Sequence, residues 1–315
     1  MGTSQSAQHL GLTASLKTTP AAQATLNYGT SPGTAVAVSI VDISATPGEY
    51  TVQECGFECR KGACPLPAVV WANRASIGRH VFPAAERIAM QVTEADDALA
   101  FHHQVRHSEG VLSEAPVFLV HSDIVLGKGQ EHALALLSDS VLGGPDHFMS
   151  SCGPLDGAGM PKIKVDRVAF VNVWLPISDS SRWREPLALC DWRSRPADLS
   201  DWDGGPVRHE PSHQWCYYSD LQAGDALIFK QWDSAFPEGG GYCSNVGEAP
   251  SGPPREVLHS AFMLPESVEA RCRNEPRHSC EVRVMVCFSG ASAGVVSNIA
   301  REEYHRGDRE YNIFL

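Results

Sequence analysis

Two histidines and one aspartate have the residue types and spacing of a mononuclear metal site. His121 and Asp123 are separated by one residue and directly follow the apolar run 115–120, and His259 comes much later. Two imidazoles and a carboxylate on one face of an octahedron bind iron(II) and leave three positions open for small molecules and dioxygen. If the run is a strand, His121 and Asp123 point to the same side. The sequence therefore predicts an iron site with these three ligands.

Other histidines compete for these positions. A histidine followed two residues later by an acid also occurs at 107–109, and one or two such pairs are expected by chance in this composition. That second pair follows a histidine-rich stretch and precedes a glycine, which favours a turn. His209 and His213 are alternatives to His259, but both lie around a proline-rich turn. His259 is favoured because Arg277 follows it and opens another strand-like segment.

A candidate anion site follows the last candidate ligand. The guanidinium of Arg277 and the hydroxyl of Ser279 are suited to the distal carboxylate of 2-oxoglutarate, whose keto-acid end would bind iron. Strand alternation puts Arg277, Ser279, Glu281 and Arg283 on one side. Arg283 is therefore an alternative clamp. An arginine paired with Glu281 on a solvated strand face is an equally good interpretation.

Composition limits the classes of function. The 315 residues are 43% hydrophobic, enough for a sizeable core, and the net charge of −12 disfavours nucleic acid as a partner. No apolar run is long enough to cross a bilayer, and residues 1–25 lack the pattern of a secretory leader. We therefore expect a cytoplasmic protein that binds neither nucleic acid nor a membrane. The sequence leaves the oligomeric state open.

The ten cysteines allow a second metal hypothesis. Cys55, Cys59 and Cys64 are spaced by four and five residues, and zinc would require a fourth ligand such as His80. Such a site would make the segment an interaction module. Most other cysteines lie in hydrophobic strand-like runs, where free cysteine is a small core residue.

Apolar periodicity predicts a chain of many strands and few helices. Helices are predicted over 82–99 and 130–142. Strands are predicted over 35–43, 50–52, 165–176, 188–190, 213–218, 225–232, 257–264 and 281–288. This pattern favours a barrel or sandwich, mainly β with flanking helices. We expect a disordered lead-in over 1–25, one domain over 26–288 and a C-terminal tail over 289–315.

Several ordered segments resemble the CmcJ/AsaB-like family, which includes a cephamycin 7α-methoxylation component and fungal hydroxylases, desaturases and endoperoxide-forming enzymes. The segments are NVWLPI at 172–177, PLALCD at 186–191, GDALIFKQWDS at 224–234 and RHSCEVR at 277–283. The resemblance extends from about residue 26 to 288. It implies a double-stranded β-helix (jelly-roll, cupin-like) core and an iron(II)- and 2-oxoglutarate-dependent dioxygenase of secondary metabolism, which hydroxylates or desaturates an unactivated carbon.

The resemblance also implies roles for individual residues. His121, Asp123 and His259 match the metal positions, and Arg277 and Ser279 match the co-substrate clamp. Asn172 alternates with two valines, so its amide would face the barrel interior and contact the keto acid. The alternative function is a jelly-roll protein that binds a ligand or partner without turnover. Such a protein would usually lack one iron ligand, and here all three are present.

Overall fold

Within the residues that the computed structural model describes, the fold has two five-stranded sheets, a short two-stranded ribbon and two α-helices. These residues are 21–31, 33–108, 114–124, 128–137, 152–153, 162–163, 167–179, 183–196, 206–235, 255–265 and 275–288. The two helices are α1 (Arg74–Thr93) and α2 (Gly129–Leu137). The strands are β1 (Ala21–Asn27), β2 (Ala35–Asp42), β3 (Phe57–Arg60), β4 (Asp97–His107), β5 (Cys152–Gly153), β6 (Lys162–Ile163), β7 (Arg167–Pro176), β8 (Leu187–Cys190), β9 (Trp215–Tyr217), β10 (Ala226–Asp233), β11 (His259–Ala261) and β12 (His278–Phe288).

The strand order places early and late strands side by side in both sheets. The first sheet has the order β1-β2-β9-β8-β11, and the second has the order β3-β10-β7-β12-β4. Among these strands only β2 and β9 pair in parallel, and the other strand pairings are antiparallel. The inner cluster joins side chains of both sheets, including Leu189, Cys216, Trp174 and Leu227. This arrangement confirms the predicted mainly β, jelly-roll class.

Helix α1 covers the outer face of the second sheet. Asn73 caps it by accepting a 2.9 Å hydrogen bond from the Ser76 amide, and Glu94 ends it in the left-handed conformation. The helix predicted over 82–99 was therefore displaced. Pro83 lies inside the helix rather than at its start, and residues 97–99 already belong to β4.

Sequence periodicity did not predict three strands in the first part of the chain, β1, β3 and β4. β1 begins within the predicted lead-in, five residues before the expected domain start, and β3 lies in a cysteine-rich stretch for which no strand was predicted. β4 looked like a polar segment ending in a turn, because half of it carries partly exposed histidine, glutamine and arginine. Residues 50–52, predicted as a strand, form none. Residues 1–20 and the tail 289–315 lie outside the described ranges.

Gly129, at the start of α2, packs directly against the indole of Trp232. A β-carbon at this position would overlap the indole ring. We expect Gly129→Ala to destabilise the fold by about 1–3 kcal/mol, the usual cost of overpacking. Gly48→Ala is the matched control, because no atom lies within 4 Å of the position that its methyl group would occupy. Equal melting temperatures of the two variants would contradict this packing.

The helices of the structure are short or amphipathic. Among the residues that the structure describes, none forms a helix with the length and apolar character needed to cross a membrane.

Candidate active site

The segment with His121 and Asp123 forms a β-bridge to the first sheet through His259. The His121 amide donates to the His259 carbonyl at 3.1 Å, and the His259 amide donates back at 3.0 Å. The apolar run before it is not a strand, contrary to the prediction. Its backbone instead bonds at separate points: the Val120 amide donates to the Asn27 carbonyl, and the Val117 carbonyl accepts from the Ala261 amide. His121 and Asp123 nevertheless point to the same side, as predicted.

The three predicted ligands converge. One ligand atom from each of His121, Asp123 and His259 lies within 4.8 Å of the other two, and no other such group occurs among the described residues. Nε2 of His121 is 3.8 Å from Oδ1 of Asp123, and Nε2 of His259 is 3.8 Å from Oδ2. The two imidazole centroids are 4.2 Å apart.

Both imidazoles have the tautomer that a metal requires. Nδ1 of His121 lies 2.6 Å from the Leu119 carbonyl, and Nδ1 of His259 lies 3.1 Å from the Val257 carbonyl. A carbonyl can only accept, so each Nδ1 carries a proton, and in the neutral ring the lone pair is then on Nε2. Burial, with a further contribution from His121, lowers the pKa of His259 to about 3 and keeps this ring neutral. The residues therefore fit a divalent metal.

Asp123 is restrained by three neighbouring side chains. Asn172 donates to Oδ2 at 2.5 Å, and Arg283 donates to Oδ1 at 2.9 Å. The side-chain oxygen of Gln231 accepts a 2.8 Å hydrogen bond from the Asp123 amide. Gln231 lies at a bulge in β10, where the register with β7 shifts. Burial alone would raise the pKa of Asp123, but Arg283 and the two histidines hold it well below its usual range. The carboxylate is thus ionised and fixed in orientation.

Ser279 on β12 and Arg277, which directly precedes β12, are buried and have polar side-chain atoms that no described residue hydrogen-bonds. Both are almost wholly inaccessible to solvent, and the Arg277 Nε and Ser279 Oγ atoms have no hydrogen-bond partner within the described ranges. The Arg277 guanidinium carbon lies 5.7 Å from the ring centre of Trp174, and Nη1 donates to the Glu185 carbonyl at 3.2 Å. Burial lowers the pKa of Arg277 to about 10. Unsatisfied buried donors of this kind indicate a place for an anion.

The inner face of the second sheet surrounds these groups with polar side chains. Residues directly opposite in a sheet share a face, and Arg283 lies opposite Asn172 on β7 and His102 on β4. The next inward-facing residue of β12, Glu281, lies opposite Trp174 and Gln104. The outward-facing residues of β12 join the core under α1; they include Cys280, Val282 and Val284. Sequence alternation predicted this division of β12 correctly.

Arg283 and Asn172 have contacts that the sequence did not reveal. Arg283, the alternative clamp, bonds the Asp123 carboxylate and lies 3.5 Å from a Glu281 oxygen through Nε. Asn172, predicted to contact the keto acid, bonds the same carboxylate. The only signal available was that both residues interrupt apolar runs at inward-facing positions.

The competing candidates lie elsewhere. His209 and His213 pack around Tyr28, whose hydroxyl is 3.3 Å from the His213 ring, and His107 lies opposite His278 on the outward-facing side of β4. The zinc hypothesis has no support within the described ranges. Three buried free thiols are divided between two core clusters, and His80 is exposed on α1. The three thiols are those of Cys55, Cys59 and Cys64.

A jelly-roll core with a His-Asp-His group at its inner face has the set of residue types with which non-haem iron(II) oxygenases bind their metal. A family model described as "YDMC: Oxidoreductase/YMDC permease-like domain" matches residues 5–287. The chain belongs to this family.

Curated relatives carry the name hydroxylase/desaturase. The chain is 23% identical to Hydroxylase/desaturase efuI of Hormonema carpetanum over 278 residues, which cover 78% of this chain and 84% of that protein. It is 27% identical to Hydroxylase/desaturase CTB9 of Cercospora beticola, over 42% of this chain and 40% of the relative. Its match to Hydroxylase/desaturase asaB of Aspergillus flavus is 28% identical and covers 39% of this chain and 56% of the relative. Two of the three matches thus span less than two thirds of the relatives' length.

Solved structures support the fold. The chain resembles an iron and alpha-ketoglutarate-dependent endoperoxidase, NvfI, with a TM-score of 0.59 and 17% identity, covering 87% of this chain and 99% of that one. A second structure of NvfI gives a TM-score of 0.58 at 17% identity, over 86% of this chain and 99% of that one. The solved structures confirm the predicted fold, and the names of the relatives agree with the resemblance to hydroxylases and desaturases that the sequence segments indicated. They do not favour the alternative of a jelly-roll protein without turnover.

Proposed function

We propose that this protein is an iron(II)- and 2-oxoglutarate-dependent oxygenase that hydroxylates or desaturates a small secondary metabolite at an unactivated carbon. The observation that carries the proposal is the convergence of His121, Asp123 and His259. In both histidines Nδ1 is hydrogen-bonded to a backbone carbonyl, which leaves Nε2 as the atom for the metal. The names of the relatives and of the structural neighbours agree with this chemistry.

His121, Asp123 and His259 would hold the iron. When bound, iron(II) together with a 2-oxo acid and dioxygen supplies the oxidising power needed to break an unactivated C–H bond. In hydroxylation, 2-oxoglutarate, dioxygen and R–H give succinate, carbon dioxide and R–OH. In desaturation, the same reagents remove two hydrogens from the substrate and give succinate, carbon dioxide, water and an alkene.

The co-substrate would extend from the iron ligands to Arg277. Asn172 contacts Asp123, and Trp174, two residues further along β7, lies under the Arg277 guanidinium. Two residues of strand advance by about 7 Å. A five-carbon dicarboxylate has a comparable length, so its keto-acid end can meet the metal ligands while its far carboxylate meets Arg277. Ser279 would add a hydroxyl donor to that carboxylate.

The protein residues bind and orient the ligand group. Asn172 and Arg283 fix the orientation of Asp123, and Trp174 and Phe229 belong to one apolar cluster of the core. The Phe229 and His259 ring centres are 4.9 Å apart, which limits rotation of that imidazole. Ligands held in a fixed orientation are what this chemistry requires of the protein.

The proposal is tested by following succinate formation from 2-oxoglutarate in the absence of a known substrate. Slow uncoupled turnover is expected, and it should require both iron(II) and dioxygen. Metabolites that accelerate it are candidate substrates. If the folded protein with iron forms no succinate with any of a broad set of metabolites, the proposed activity is wrong.

We further propose a cytoplasmic location. The seven cysteines whose side chains the structure describes are free and buried, as suits a reducing compartment. The net charge of −12 gives no reason to expect nucleic acid as a partner.

A further inference from the structure

One buried acid lies among the groups that would receive the co-substrate. Glu281 is 7% exposed and stands on the inner face of β12, between Ser279 and Arg283. Neither the ligand group nor the clamp includes it. A carboxylate in this position is unexpected, because the site has to accept a dianion.

Glu281 stands at the same level of the sheet as the Arg277 guanidinium. Trp174 is the residue opposite Glu281 on β7, and the Arg277 guanidinium lies over that same ring. On its other side, Oε1 of Glu281 is 3.5 Å from Nε of Arg283. A carboxylate bound by Arg277 would therefore come close to the Glu281 carboxylate.

The groups around Glu281 shift its pKa in opposite directions. Burial, and then the Asp123 carboxylate, raise the pKa of Glu281 to about 7 although Arg283, Arg106 and Arg277 act in the opposite direction. On the neighbouring strand β4, the facing residues are Gln104, which is neutral, and His102. Burial and Arg283 lower the pKa of His102 to about 3, so that ring stays neutral at physiological pH.

We propose that Glu281 controls the affinity of the site for 2-oxoglutarate and takes up one proton when 2-oxoglutarate binds. The inference rests on the proposed function and on Arg277 as the clamp. As an anion, Glu281 repels the distal carboxylate of the co-substrate. As an acid, it donates a hydrogen bond to that carboxylate. When Glu281 is ionised before binding, the balance is one proton from solvent to a Glu281 oxygen for each 2-oxoglutarate bound.

The sign of the pH dependence follows from this proton uptake. Below the pKa of Glu281 the proton is already in place and binding carries no penalty. Above it, each binding event must draw a proton from solvent, so the dissociation constant rises with pH. For an acid titrating near 7, proton linkage predicts a rise of about eightfold between pH 6.5 and pH 8.

The test compares the wild type with Glu281→Gln, which keeps the shape and a hydrogen-bond donor but never carries charge. The dissociation constant of 2-oxoglutarate is measured by anaerobic titration of the iron(II)-loaded proteins from pH 6.5 to pH 8. The wild type should show the rise, and Glu281→Gln should show none. At pH 8 the variant should bind 2-oxoglutarate about tenfold more tightly than the wild type.

Glu58→Gln is the matched control. Glu58 is also a poorly exposed strand residue, and it pairs with an arginine two positions along at 2.5 Å, but it lies opposite Ile228 on the outward-facing side of the sheet. The Glu58→Gln variant should bind 2-oxoglutarate with the same affinity and pH dependence as the wild type. Unchanged or weaker binding by Glu281→Gln, or a wild-type constant that does not vary with pH, would overturn the inference. If the iron-loaded wild type binds no 2-oxoglutarate at all, the proposed function fails instead.

Discussion

Replacing His259 with alanine is expected to abolish iron(II) binding at micromolar metal and, with it, the turnover of 2-oxoglutarate. The imidazole is buried and supplies one of only three proposed protein ligands, with Nδ1 already fixed by the Val257 carbonyl. Loss of a partner outside the ligand group typically costs about 10–100-fold in metal affinity, so loss of a ligand should cost at least about 100-fold. His121→Ala should have the same effect. Metal content and affinity, measured under anaerobic conditions, check the expectation.

His107→Ala is the control for both variants. This histidine belongs to the competing pair at 107–109 and lies opposite His278, on the face of the sheet that carries Cys280 rather than the ligands. Its iron affinity and turnover should equal those of the wild type. If His107→Ala loses iron while His259→Ala retains it, the ligand assignment is wrong.

Arg277→Met should weaken 2-oxoglutarate binding by about 100-fold while leaving iron binding intact. The guanidinium is buried with one donor unsatisfied among the described residues, and a fork of two charge-assisted hydrogen bonds contributes on the order of 3 kcal/mol. Methionine keeps much of the side-chain volume over Trp174, so the packing should survive. The dissociation constant of 2-oxoglutarate in the iron-loaded variant is the measurement.

Arg283 provides the decisive comparison for the clamp. In Arg283→Met, the loss should fall on the Asp123 ligand, because the guanidinium bonds that carboxylate directly. The affinity for iron should therefore fall by a larger factor than the affinity for 2-oxoglutarate. Arg60→Met, at an exposed ion pair on β3, should leave both unchanged. A 100-fold loss of 2-oxoglutarate affinity in Arg283→Met, with none in Arg277→Met, would transfer the clamp to Arg283.

The sequence predicted the convergence of the ligand group because local patterns carry most of it. The spacing of His121 and Asp123, and the alternation along β12, are properties of neighbouring residues, and both placed side chains on the correct face. The strand predicted before His121 was wrong, yet the orientation that it implied was correct. A single pair of backbone hydrogen bonds to His259 orients the segment as a strand end would.

The sequence could not reveal how Asp123 is held. Its contacts come from Asn172, 49 residues away, from Gln231, 108 residues away, and from Arg283, 160 residues away. Such pairings depend on strand register and on a bulge in β10, which no local pattern specifies. β4 was missed for a related reason. Its polar residues at 102, 104 and 106 face an interior site, so the segment lacked the apolar alternation from which strands were predicted.

The most direct test of the proposed function is an anaerobic titration of the metal-free protein with iron(II) and then 2-oxoglutarate, monitored in the visible range. Chelation of iron by the keto acid produces a weak charge-transfer band, and no substrate is needed to observe it. We expect the band in the wild type and, at modest 2-oxoglutarate, its loss in Arg277→Met. A folded wild-type protein that binds iron but gives no band at saturating 2-oxoglutarate would contradict the proposed function.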